Sequence, residues 1–318
     1  MTYLVGTDEA GYGPNLGPLV ISVTAWSLSD AVGTSDLYDV LKDVVSHEPK
    51  ADGRTALADS KALYSTARGL GTLERGLLAV LALNDCRPAT WRELWRALCP
   101  EAIEAFDTEP WHVGYDEPVP VMHDMHESNH QAERLRAGVV AAGVGLVAVR
   151  SRAVFPQEWN RLCREYGNKA TALSHLTLTL LAELLQRLDD SAVSVVCDKH
   201  GGRNRYRELL QAHFPESVVE VHGEAADESR YEWGPAERRV RASFRAGGER
   251  HLPTAVASMA SKYLRELSMR AFNAFWRQQV PNLRPTAGYA VDARRFMTET
   301  VAARAALGID DGILWRLR

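Results

Sequence analysis

Apolar and polar positions along the chain follow two periods. Leu19, Ile21, Val23 and Ala25 alternate with Val20, Ser22, Thr24 and Trp26, so residues 19–26 read as a strand with one face more buried. Residues 3–8 form a preceding strand, and 145–149, 193–198 and 218–221 are further short ones. Helical spacing governs residues 66–83, where Leu73, Leu77, Leu78 and Leu81 make an apolar stripe. Residues 171–188, rich in leucine and free of Gly and Pro, predict a second helix, and 203–213 a shorter one. Thr254, just after Pro253, reads as the N-cap of a long helix reaching about Gln279. Residues 230–233 and 239–245 flank Gly234-Pro235 in the pattern of a β-hairpin. Strands first, then helices and strands in alternation, predict a mixed α/β sheet flanked by helices.

Two stretches read as additions to that core, at about 86–143 and 229–247. The first holds Trp91, Trp95 and Trp111, too much tryptophan for a disordered linker. Its His123, His126 and His130, with Glu127 nearby, fall at helical spacing, which fits a solvated helix start better than a transition-metal site. In the second, Arg239, Arg241 and Arg245 point to one face of a strand and Val240, Ala242 and Phe244 to the other. Such a stripe fits phosphate contacts and a charge-protected edge strand equally well.

Composition narrows the picture. The 318 residues carry a formal net charge of -4, so binding a polyanion requires a local basic patch. The four cysteines (Cys86, Cys99, Cys163 and Cys197) are widely spaced, which argues against a zinc ribbon or a disulfide framework. Neither a secretory h-region nor an apolar run of membrane-spanning length is present, and a soluble cytoplasmic location is the expectation.

The chemistry concentrates at Asp8-Glu9-Ala10-Gly11-Tyr12-Gly13-Pro14, directly behind the first strand. Adjacent carboxylates at a strand end carry a desolvation cost that cations or hydrogen bonds must offset. The glycines let backbone approach a ligand closely. A metal beside a phosphate and an ordinary polar Gly/Pro turn both fit these seven residues.

Thr7 to Pro14, with Gly17-Pro18 following, resembles the opening motif of the ribonuclease HII family. Further landmarks follow in the family's order. They are Asp59-Ser60-Lys61, Asp198 at a strand end, Ala257-Ser258-Met259-Ala260-Ser261-Lys262, and Gly288-Tyr289. The resemblance implies a ribonuclease H-like fold with a catalytic domain at 1–279 and a helical C-terminal extension at 280–318 that completes the substrate site. It implies a two-metal site for Mg²⁺ or Mn²⁺ on Asp8, Glu9 and Asp198. The family's fourth acid is an aspartate, and Glu249 has its spacing to Pro253 if one residue is deleted; an exposed hairpin-end acid is the alternative. Substrate contacts are implied for Gly11, Tyr12, Gly13, Lys61, Ser258, Lys262 and Tyr289. Tyr12 departs from the family's Gly-Arg-Gly, which puts its reading of a ribose–deoxyribose junction in question. Lys199-His200-Gly201-Gly202-Arg203 is more basic and glycine-rich than the family pattern, fitting a phosphate contact or a free loop.

The expected function is a monomeric endoribonuclease acting on RNA–DNA hybrids or on ribonucleotides embedded in duplex DNA, leaving 5′-phosphates. The alternatives are a ribonuclease H-fold nuclease of other substrate preference and a catalytically weakened nucleic-acid-binding module. A nucleotide-binding Gly-x-Gly-x-x-Gly or Walker motif behind a strand is absent, which argues against a small-molecule enzyme.

Overall fold

A computed structural model describes residues 1–33, 36–50, 52–65, 67–122 and 125–317, without the side chains of 125–128. The strands are β1 (Thr2–Ala10), β2 (Leu19–Leu28), β3 (Val45–Ser46), β4 (Thr55–Ala56), β5 (Val144–Val154), β6 (Ala192–Asp198), β7 (Glu220–Glu224), β8 (Glu228–Trp233) and β9 (Val240–Arg245). Seven of them form one sheet in the order β5-β2-β1-β6-β9-β8-β7, and β3 and β4 pair separately. Around the sheet lie α1 (Leu37–Val40), α2 (Ser60–Leu63), α3 (Gly71–Leu81), α4 (Trp91–Leu98), α5 (Ala102–Phe106), α6 (Met125–Ala141), α7 (Pro156–Glu165), α8 (Lys169–Leu185), α9 (Arg207–His213), α10 (Leu252–Gln279), α11 (Ala290–Glu299) and α12 (Val301–Leu307). This is the mixed sheet flanked by helices, with a helical C-terminal region, that the ribonuclease H-like expectation describes.

β1, β6 and β9 run parallel, while β2 runs antiparallel to both β1 and β5. The pleat sends alternate residues of these strands into two cores. Val5, Ile21, Val23, Val195, Ala242 and Phe244 face α8, while Leu4, Val20 and Trp26 belong to the core that contains α10, α3, α4 and α6. β2 is buried on both faces because it lies inside the sheet with helices above and below.

Several boundaries differ from the expectation for local reasons. α10 begins at Leu252 with Pro253 in its first turn, where a missing N–H costs nothing. Thr254 therefore lies inside the helix, and its hydroxyl donates to the Val196 carbonyl at 3.1 Å. α9 starts at Arg207 rather than 203, because Gly201 and Gly202 turn with φ of 59° and 81°. His123 and the side chains of His126 and Glu127 lie outside the described residues.

Residues 229–247 are not an appendage. They supply β8 and β9, and β9 pairs in parallel with β6, placing the hairpin inside the main sheet. Residues 86–143 add helices whose Trp91, Trp95, Phe106 and Leu135 are buried in the α10-side core. The C-terminal helices share a third cluster with α10, in which Leu16, Phe272, Trp276, Phe296 and Leu314 meet.

Candidate active site

Because β1, β6 and β9 are parallel, their C-terminal ends come out together. Thr7 is opposite Cys197, the last pair of the β1–β6 register, so Asp8, still inside β1, and Asp198, the last residue of β6, stand side by side on the same face of the pleat. β9 leads into a short 3-10 turn, Gly248–Arg250, that carries Glu249 back to this edge. Gly248 lies so close that a side chain there would come within 3.1 Å of the Asp198 amide nitrogen. The Gly248 N–H donates to Asp198 Oδ1 at 3.3 Å.

Asp8 and Glu9 keep some solvent exposure at the sheet end. Burial among protein atoms nevertheless pushes the Asp8 carboxyl up to about 7; a Ser258 hydrogen bond opposes the shift and the Asp198 charge adds to it. Burial, then Asp8 and Asp198, hold Glu9 well above the usual carboxylate range. Asp198 is raised by burial too, against hydrogen bonds from the Gly248 and Lys199 backbone. Lys61 faces this negative charge: burial disfavours its ammonium, but Asp59, Asp8, Glu249 and Asp198 together raise its proton affinity.

Serines on α10 hold the pieces in place. Ser258 Oγ donates to Asp59 Oδ1 at 3.2 Å and meets Ser60 Oγ at 3.0 Å, docking the Asp-Ser-Lys segment on the helix. Ser261 Oγ bonds the Asp8 carbonyl at 3.1 Å and Ser22 Oγ at 2.8 Å. The oxygen-only donor set suits a hard divalent cation. Among the described residues, however, no three acid, imidazole or thiol groups stand together as a ligand cage. An arriving cation would have to draw the carboxylates together.

The glycine loop is pinned from below by two arginines that carried no signal in the sequence. Arg316, 1 % exposed, donates to the Gly11 carbonyl at 2.5 Å, and Arg265 to the Leu16 carbonyl at 3.3 Å. Burial lowers Arg316 to about 9, with Arg265 adding repulsion. Gly11 (φ +93°) must be glycine, because a Cβ would come within 2.5 Å of the Pro18 carbonyl and 2.6 Å of Arg265 Nε. Gly288 receives the N–H groups of Asn15 and Leu16 on its carbonyl, at 2.7 and 3.2 Å. This contact brings the exposed Tyr289 ring beside Gly13.

Other residues expected to contact substrate have partners within the chain. Lys262 pairs with Glu266 at 2.7 Å and lies 4.4 Å from the centre of the Tyr64 ring, so its charge is already compensated. Tyr12 packs edge-on to Trp159 at 6.3 Å, under the Lys169 ammonium. Arg239, Arg241 and Arg245 each meet a carboxylate of β7 or β8, at 3.3 Å from Glu220, 3.2 Å from Glu232 and 2.6 Å from Glu228.

No family model and no curated protein matches the chain. Solved structures similar to it include ribonuclease HII in its complex with PCNA from Archaeoglobus fulgidus, at 15% identity and a TM-score of 0.43, over 99% of this chain and 96% of that one. Another is ribonuclease H2 from Pyrococcus horikoshii, at 15% identity and a TM-score of 0.44, over 98% and 92% of the two chains. A third is Bst-RNase HIII in complex with Mn²⁺, at 14% identity and a TM-score of 0.41, over 99% and 66%.

Proposed function

We propose that this protein is a divalent-metal-dependent endoribonuclease that cleaves the RNA strand of RNA–DNA hybrids or nicks duplex DNA at embedded ribonucleotides. The observation that carries the reading is the pairing of Asp8 and Asp198 side by side on parallel strands, with Glu9 next to them, Glu249 on the turn that touches Asp198, and Lys61 facing these charges beside a glycine loop. Such an acidic cluster repels phosphate unless cations neutralise it. Those four carboxylates would hold Mg²⁺ or Mn²⁺. When bound, such ions lower the pKa of an attacking water and stabilise charge on the leaving oxygen.

The chain's own groups do the positioning. Ser258 fixes the Asp59–Lys61 segment, leaving the Lys61 ammonium charged to meet a non-bridging phosphate oxygen. Gly11 and Gly13 keep the loop low enough for a sugar to approach, and the exposed Tyr289 ring offers a stacking surface beside it. The 2′-OH is the mark that separates ribose from deoxyribose at that point. Tyr12, packed on Trp159 where the resemblance implies a free arginine, favours as a second reading the same chemistry on another nucleic acid.

Duplexes carrying no, one or several ribonucleotides, incubated with Mg²⁺, Mn²⁺ or a chelator and mapped for cuts, test the reading. Cuts at ribonucleotides that leave 5′-phosphates and vanish with the chelator are expected. Equal cutting of all-DNA duplexes, or cutting that survives chelation, would contradict it.

A further inference from the structure

We propose that Lys169 and Arg203, both beside Tyr12 and backed by Arg316, form a cradle that receives phosphates of the nucleic-acid strand beside the acidic cluster. The inference rests on the nuclease reading above. A chain of net charge -4 must concentrate positive charge locally to hold a polyanion. Arg239, Arg241 and Arg245 do not provide it, since Glu220, Glu232 and Glu228 pair with them.

Around Tyr12 the cations lack such partners. The Lys169 ammonium lies 4.4 Å from the centre of the Tyr12 ring. Arg203 donates through Nη2 to the Thr171 hydroxyl at 2.7 Å, and its Nε is buried without a partner. Arg316 stacks its guanidinium 4.8 Å over Trp159, the ring that meets Tyr12 edge-on. Among the described residues none of these three cations makes an ion pair with a carboxylate.

Two glycine-rich turns meet at the same place. A side chain at Gly201 would come within 3.0 Å of the Tyr12 hydroxyl, and Gly11 precedes the tyrosine on the other side. Lys169, Arg203 and Tyr12 are each half-buried, none of them sealed in the core. Cations beside an aromatic ring suit a nucleic-acid strand, with phosphates on the charges and a sugar or base against the ring. Tyr12 lies on the loop that leaves β1 just behind Glu9, so a strand held here lies next to the acidic cluster.

The test is equilibrium binding of a hybrid duplex in chelator, where no cutting occurs, across a salt series. Lys169→Ala and Arg203→Ala should each weaken binding about tenfold and reduce the salt slope by about one. Replacing Arg239, Arg241 and Arg245 together with alanine should change neither. If Arg203→Ala does not fold for want of its bond to Thr171, Lys169→Glu on the half-exposed position carries the test, with a larger loss expected. A folded Lys169→Ala/Arg203→Ala variant with wild-type affinity and salt slope would overturn the cradle. If the wild type still binds and cuts in that case, the cradle fails alone; a wild type that neither binds nor cuts removes the nuclease reading with it.

Discussion

At position 12 the resemblance implies an arginine and the chain has a tyrosine, and the surroundings give a physical reason. Lys169, Arg203 and Arg316 already place three positive charges around that ring. Burial and then Glu9 raise the phenol, while Arg203 and Arg316 pull it back. The positive charge beside the loop comes from these neighbours rather than from the loop itself. Tyr12→Arg would add a fourth cation, so its melting temperature should fall below wild type, and more at low salt, where repulsion is least screened. Tyr12→Phe should stay close to wild type. A thermal scan of both variants in low and high salt checks this, and a Tyr12→Arg protein more stable than wild type would contradict it. The motif residues themselves were legible in the sequence; what they touch was not. Lys262 matched the helix motif, yet its charge goes to Glu266, a pairing that no spacing rule announces.

At the scale of elements, the site depends on how closely α10 lies on the sheet. Thr24 Oγ1 donates to the Pro253 carbonyl at 2.7 Å, and Thr254, Ser258 and Ser261 bond the strand ends and the Asp-Ser-Lys segment. Gly6 on β1 permits the approach, because a Cβ there would run into the Thr254 backbone. Gly6→Ala should lift the helix, cost about 3 kcal/mol against unyielding backbone, and lower cleavage beyond the stability loss as Ser261 leaves the Asp8 carbonyl. Denaturant unfolding compared with the cleavage rate checks this; an alanine variant as stable as wild type would contradict it. The long helix and the hairpin could be read from periods of 3.6 and 2. Which strand the hairpin would join could not, since alternation assigns faces rather than neighbours. Val240, Ala242 and Phe244 announced a buried face, but the pairing with β6 emerged only in three dimensions.

At the scale of the whole molecule, three parallel strands collect acids that lie far apart in sequence, at 8, 9, 198 and 249. The segment Trp315–Leu317 gave no hint that it ties the glycine loop to α7. Arg316 holds the Gly11 carbonyl, Asn160 bonds the Trp315 carbonyl at 2.8 Å, and the Leu317 N–H donates back to Asn160 at 2.7 Å. A buried arginine of this kind has no periodic signature, because its partners are carbonyls and an aromatic ring.

The central claim is that the acidic cluster does the cutting, and Asp8→Asn tests it most directly, with cleavage rate and melting temperature measured with and without Mg²⁺ or Mn²⁺. Asparagine keeps the shape of Asp8 and removes its charge. Turnover should fall on the order of a thousandfold or more. Asp8 is pushed up to about 7 by burial and Asp198, so its ionisation destabilises the metal-free fold as pH rises from about 4 through 7. At or above pH 7 the metal-free variant should therefore melt at or above the wild-type temperature. The stabilisation conferred by the cation should shrink, because the folded state then binds it less tightly. A folded Asp8→Asn protein that still cleaves near the wild-type rate would contradict the proposed site.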